Sequence, residues 1–186
     1  MTLYICSLAA IHDVVAQTGA SHLLTVISGG TSVERPKSIA EENHLYLEFN
    51  DITAPAQGLV PPSPAHVEKI LDFGHAWDRK APMVVHCWAG VSRSTAAGYI
   101  LSHALTPGSD PHDLARLLRS RAPWATPNGR MVAFADQLLG AKGQMKEAIS
   151  AIGRGAMAYE GKPFAMPVGE MPVGEMSHGQ KSGDHG

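Results

Sequence analysis

Cysteine is nearly missing from this chain, with only Cys6 and Cys87 in 186 residues. One disulfide is the most that two cysteines allow, which excludes a disulfide-framed secreted scaffold and favours a reducing compartment. Charge of either sign is also scarce in net terms. The balance is -2, so nothing predicts a broad surface for nucleic acid or anionic membrane. No apolar run is long enough to cross a bilayer. The opening Met1-Thr2-Leu3-Tyr4-Ile5-Cys6 lacks the basic start of a secretory signal. A soluble cytoplasmic protein is therefore expected, with neither nucleic acid nor membrane as a partner.

What is present suffices for a folded unit. Apolar residues make up 44%, and the length suits one domain with some chain to spare. Strand-like stretches fall at Leu3 to Ser7, His22 to Ile27, His44 to Phe49 and Met83 to His86. Helical signals alternate with them: Ala9 to Thr18, closed by Gly19; Ser63-Pro64 to about Trp77; the stretch from Thr95 to about Leu105; Asp110-Pro111 to about Ser120; and Gly129 to about Ile152. Asn50 to Pro62 is a long loop rich in Pro, Ala and Gly, and long loops inside compact domains are usually functional. The alternation predicts an α/β fold with a mostly parallel central sheet of four or five strands flanked by helices.

After Gly153 the character changes. Met166-Pro167-Val168-Gly169-Glu170 is repeated at once as Met171-Pro172-Val173-Gly174-Glu175, and two histidines lie in the last nine residues. Residues 1–152 are expected to form the catalytic domain and 153–186 an extended or mobile tail.

The chemistry concentrates in His86-Cys87-Trp88-Ala89-Gly90-Val91-Ser92-Arg93-Ser94, between a buried strand and a helix start. The first turn of a helix carries backbone N–H groups without internal partners, and the helix dipole adds positive charge there. Such a turn binds oxyanions, so the N–H groups of Trp88, Ala89, Gly90, Val91, Ser92 and Arg93 are candidate phosphate ligands. The same groups favour the anionic form of a cysteine at the edge, which makes Cys87 a candidate nucleophile. Arg93 can return to the rim and grip two phosphoryl oxygens with its planar fork. Gly90 lets the backbone turn. Ser94 can donate its hydroxyl to the sulfur.

These residues match His-Cys-x-x-Gly-x-x-Arg-Ser/Thr, and the chain here resembles the cysteine-dependent protein tyrosine phosphatase superfamily. From average residue usage, five such positions coincide by chance on the order of once in ten million start positions. Leu3 to Ala10 is similar to the opening strand of the small dual-specificity branch, with a bacterial source expected, and Arg121-Ala122-Pro123 with Pro127-Asn128 looks like its last connection. The resemblance spans roughly residues 3 to 140.

Phosphoryl transfer to a thiolate needs a proton for the leaving oxygen and then a base to activate water. Asp51 leads the long loop directly after a strand, where the resemblance puts the general acid. Glu48, Asp72 and Asp78 are weaker rivals by position. The resemblance also implies that His86 supports the loop through hydrogen bonds. Trp88 either walls the pocket or fills the core. Asn128 either supports the loop or caps the last helix, and capping is the safer reading.

The resemblance implies a phosphomonoester hydrolase acting through a phosphocysteine on phosphotyrosine, with phosphoserine and phosphothreonine as further candidates. It needs no metal or other cofactor. Its partners would be a phosphorylated protein or a small phosphomonoester, and phosphate or sulfate would suit the loop. The Lys-Asn-Arg-Tyr stretch of the large tyrosine-specific enzymes is missing, as are the loop lysines of inositol-lipid phosphatases. Alternatives are a catalytically silent phosphate-binding module, or a phosphatase for a phosphoinositide or RNA 5′-phosphate. Arsenate reduction needs resolving thiols, and only Cys6 is available. Cys6 is either a buried structural thiol or a partner that protects Cys87 by a reversible disulfide.

Overall fold

A computed structural model of the chain describes residues 1–169. Its strands are β1 (Thr2–Ser7), β2 (His22–Ile27), β3 (His44–Glu48), β4 (Met83–Cys87) and β5 (Phe164–Pro167). Its helices are α1 (Ile11–Thr18), α2 (Pro64–Ala76), α3 (Arg93–Ala104), α4 (Pro111–Arg121), α5 (Gly129–Leu138) and α6 (Gln144–Ile152). The sheet order is β3-β2-β4-β1-β5, parallel throughout except for antiparallel β5 on β1. This is the expected α/β architecture.

The inner strands β1, β2 and β4 are largely buried on both faces, so their sequences read as apolar runs. On one face Leu3, Ile5, Leu24, Val26, Met83 and Val85 pack against α2 through α6. On the other, Cys6, Leu23 and Val84 meet Ile11, Val14 and Val15 of α1. β4, in the centre, has no exposed residue, and its carboxyl end is therefore fixed by neighbours on every side. α3 is buried from Arg93 through Ser102, which is why no amphipathic stripe marks it. Its Gly98 lies where a Cβ would come within 2.8 Å of Ile5 Cγ1, so only glycine brings α3 this close to β1.

Two expectations need correction. The single helix expected from Gly129 to Ile152 is two helices. Gly140 and Gly143 adopt φ 66° and 92° between them, and the buried Asp136 carboxylate accepts from the amides of Gly143 and Met145 at the start of α6. The folded unit also continues beyond residue 152. Phe164, Met166 and Val168 alternate into the core, as a period of two requires. Val168 exchanges backbone hydrogen bonds with Met1 at 2.8 and 2.9 Å. The first Met-Pro-Val-Gly copy is thus part of an edge strand and its exit; the second copy, and the histidines near the end, lie outside the described residues. No helix among the described residues is long and apolar enough to cross a membrane.

Candidate active site

The carboxyl end of β4 delivers Cys87, and the chain then loops into α3. Four carbonyls along this loop are tied to the surrounding protein. Trp88 O accepts from Leu8 N at 3.1 Å, Ala89 O from Gly161 N at 2.8 Å, Val91 O from Thr126 N at 2.9 Å, and Ser92 O from Ala96 N at 2.9 Å. In a trans peptide the C=O and the following N–H point in opposite directions. Outward carbonyls therefore turn the amides of Ala89, Gly90, Ser92 and Arg93 toward the concave side. Among the described residues, no amide from Trp88 to Arg93 has a protein acceptor. Gly90 is required at the turn: its φ is +70°, and a Cβ would sit 2.9 Å from Cys6 C and Ser7 N.

Arg93 is 5% exposed. One edge of its guanidinium is fixed, with Nη1 donating to Phe49 O at 2.8 Å and Ser28 Oγ at 3.0 Å. Its Nε is buried and has no partner. No carboxylate lies within ion-pair distance of it among the described residues. A buried guanidinium with one satisfied edge and no counter-ion calls for an anion on the other edge.

Asp51 stands across the same pocket, at the root of the long loop whose neck is closed by Asn50 N donating to Val60 O at 2.6 Å. Its Oδ1 accepts from Ser92 Oγ at 2.7 Å and from Asn128 Nδ2 at 2.8 Å. Asn128 Oδ1 caps α5 by accepting from Arg130 N and Met131 N, while its Nδ2 reaches Asp51 and not the cysteine loop. Ser94 Oγ lies 3.1 Å from Cys87 Sγ. Ser28, Asp51, Cys87, Trp88 and Arg93 line a single pocket of about 340 Å³. Glu48, Asp72 and Asp78 are not among its lining residues.

His86 is fully buried and supports the loop from the opposite face of β4. Its Nδ1 lies 3.3 Å from Cys87 O and its Nε2 2.7 Å from Thr25 Oγ1, which in turn meets His44 Nε2 at 2.8 Å. Only an acceptor faces Nδ1, so that nitrogen carries the proton and Nε2 accepts from Thr25. Burial, reinforced by the nearby His44 and Arg93 charges, pushes its pKa down to about 4 against the backbone bond to Cys87. The imidazole is neutral at pH 7.

Trp88 is 60% exposed. It walls the pocket and does not fill the core. Cys6 packs with α1 while Cys87 belongs to the opposite core. The two thiols sit on opposite faces of neighbouring strands, so a bridge requires backbone movement. Burial, and secondarily Cys87, pushes the Cys6 thiol up to about 12, which leaves it protonated and inert. No three His, Cys, Asp or Glu side chains converge as a metal site among the described residues.

A cysteine loop of inward amides between a central parallel strand and a buried helix, with an arginine at its end, can be compared with solved folds. This is the fold of the dual-specificity phosphatases. A mouse protein solved in complex with zinc tungstate matches with TM-score 0.55 and 22% identity over 79% of this chain and 86% of its own. Human DUSP28 matches with TM-score 0.56 and 21% identity over 80% and 94%, and DUSP15 with TM-score 0.57 and 18% identity over 80% and 90%. No family model matches the sequence, and no curated protein sequence matches it significantly.

Within the dual-specificity phosphatase fold, several residues around the pocket carry no sequence signal. Ser28 and the Phe49 carbonyl come from the ends of β2 and β3, far from the cysteine loop in sequence. Thr25 and His44 lie within strand patterns. The least legible part is the strap from Arg154 to Gly161, which crosses beside the loop. Gly161 N bonds Ala89 O, and Ser7 Oγ donates to Glu160 Oε1. A Gly-Ala-Met segment has no periodicity to report such contacts.

Proposed function

We infer that the protein is a phosphomonoester hydrolase working through a phosphocysteine at Cys87, with phosphotyrosine proteins as substrates and phosphoserine or phosphothreonine proteins as further ones. The observation that carries this reading is the buried Arg93 guanidinium, fixed on one edge and unpaired on the other beside Cys87 and a ring of unpartnered amides. A dianionic phosphoryl group supplies the acceptors that both sets of donors lack.

In this mechanism Arg93 and the amides from Trp88 to Arg93 bind the three equatorial oxygens. Cys87 Sγ attacks phosphorus in line, the S–P bond forms and the ester P–O bond breaks. Asp51 in its acid form passes its proton to the leaving oxygen. Water then attacks the phosphocysteine, gives its proton to the Asp51 carboxylate and breaks the S–P bond, while the Ser94 hydroxyl stabilises the departing sulfur. Asn128 and Ser92 hold Asp51 in place for both steps, and the Thr25–His86 pair stiffens the loop from behind.

Cys87→Ser should abolish turnover of an aryl phosphate with the fold intact by circular dichroism, and residual turnover near the wild-type rate would refute the reading. Asp51→Ala should slow a substrate with a poor leaving group by on the order of a hundredfold. An activated leaving group needs far less help. Equal losses on both substrates would point to a different acid.

A further inference from the structure

The strap beside the reaction pocket is built to hold its position. Arg119 donates to Gly153 O at 2.8 Å, Gly155 N to Thr126 Oγ1 at 3.1 Å, Ala156 N to Pro123 O at 2.9 Å and Gly161 N to Ala89 O at 2.8 Å. At both ends a side chain is sterically forbidden. A Cβ on Gly155 would lie 2.4 Å from Trp124 O, and one on Gly161 would lie 2.3 Å from Trp124 Nε1 and 2.6 Å from Gly90 O.

Between these anchors the strap turns its large apolar side chains outward. Met157 is 97% exposed and Tyr159 103% exposed, with Trp88 60% exposed beside them. A tightly anchored segment that leaves such side chains in water gains nothing for folding from them. They flank the mouth of the site. Ala158 lines the reaction pocket, and it also lines a cavity on either side of it. One side cavity, of about 660 Å³, is walled by Leu8, Ala9, Trp88, Ala89 and Tyr159, with Glu160 at its edge. The other, of about 470 Å³, lies under Met157 and Arg154.

Each cavity shares walls with the reaction pocket, one through Val91, Ser92 and Ala158 and the other through Trp88, Ala89 and Ala158. A group attached to a phosphoryl in the reaction pocket therefore meets these walls first. The rim disfavours a polyanionic occupant: apart from Arg93, which faces the phosphoryl group, Arg154 is the one cation among the described lining residues, against the carboxylates of Asp51 and Glu160. A nucleic acid strand or a multiply phosphorylated headgroup needs a track of cations. A polypeptide with an apolar side chain next to its phosphorylated residue matches both the apolar walls and the low charge.

We propose that Tyr159 and Met157, with Trp88, form a specificity shelf that selects phosphoprotein segments carrying an apolar residue beside the phosphorylated one. The shelf rests on the reading that the Cys87 pocket receives a phosphoryl group. Two phosphotyrosine peptides that differ only in a flanking leucine or aspartate provide the test, with binding measured by fluorescence polarisation on the Cys87→Ser protein. The leucine peptide should bind about tenfold more tightly. Adding Tyr159→Ser, or Met157→Ser as a second variant, should erase most of that difference. In the protein with Cys87 present, each shelf variant alone should leave turnover of p-nitrophenyl phosphate unchanged. Equal binding of the two peptides, a preference that survives both shelf variants, or tighter binding of a 5′-phosphorylated oligonucleotide would overturn the proposal. If the peptide preference holds while the wild-type protein fails to hydrolyse p-nitrophenyl phosphate, the shelf stands and the hydrolase reading falls.

Discussion

Asn128 donates its side-chain amide to Asp51 Oδ1 at 2.8 Å while its own Oδ1 caps α5. One residue thereby couples the start of a helix to a carboxylate 77 positions earlier in the chain. The two roles can be separated. Asn128→Ser retains a cap but removes the donor to Asp51. Stability should stay within about 1 kcal/mol of wild type, while kcat on an unactivated ester should fall about tenfold through misplacement of the acid. Chemical denaturation paired with steady-state rates on activated and unactivated esters measures both. Unchanged rates on the unactivated ester would remove Asn128 from the positioning of Asp51.

Arg93 is buried without a carboxylate partner, so an oxyanion in the pocket should stabilise the fold. At a phosphate or tungstate concentration of about 100 times the dissociation constant, the gain is about 2.7 kcal/mol, or roughly 5–10 °C in melting temperature. Arg93→Lys keeps the charge but loses the planar fork. It should abolish most of the thermal shift and lower kcat/KM by on the order of a hundredfold. A lysine variant with wild-type kinetics would mean that the fork is not used.

The His86 imidazole is neutral in the fold, with a pKa moved from 6.5 to about 4 mainly by burial. Above pH 6.5 neither folded nor unfolded chain protonates it, and its contribution to stability is constant. As pH falls below 6.5 the unfolded chain takes up the proton and the folded one resists, so stability drops until about pH 4, by up to about 3 kcal/mol. Burial lowers His22, His44, His66 and His103 in the same direction. Urea denaturation at pH 7 and pH 4.5 should show the loss, and His86→Gln should show a smaller one. An identical pH slope in that variant would place the effect elsewhere.

Cys6 and Cys87 face opposite cores. Mild peroxide should therefore oxidise Cys87 to sulfenic and sulfinic products with no internal bridge, as read by mass spectrometry of non-reduced peptides. A peptide pair linked through Cys6 and Cys87 would show that β1 and β4 rearrange.

The cysteine loop was legible because its chemistry is local. A strand, a glycine turn and a helix start within nine residues determine where the amides and Arg93 go. Asp51 was legible because it directly follows a strand whose carboxyl end must face the same edge. Ser28, Thr25, His44 and the Phe49 carbonyl were not, because their roles arise only when parallel pairing sets β2 beside both β3 and β4. α3 carries no amphipathic stripe because it is buried on every side, and its place directly after the cysteine loop is what marks it as a helix. The strap and β5 look like tail in the sequence because short segments rich in Gly, Ala, Met and Pro resemble solvated chain until β1 and the cysteine loop offer them hydrogen bonds.

The central claim is a covalent bond between phosphorus and the Cys87 sulfur, and trapping that bond tests it most directly. Asp51→Ala, which lacks the base for the second step, should accumulate the intermediate on mixing with p-nitrophenyl phosphate. Acid quenching and peptide mass spectrometry should then find one added phosphoryl group on the peptide containing Cys87, and none when Cys87→Ser is added. Turnover of the ester with no phosphoryl group on that peptide, or the group found on another residue, would contradict the account.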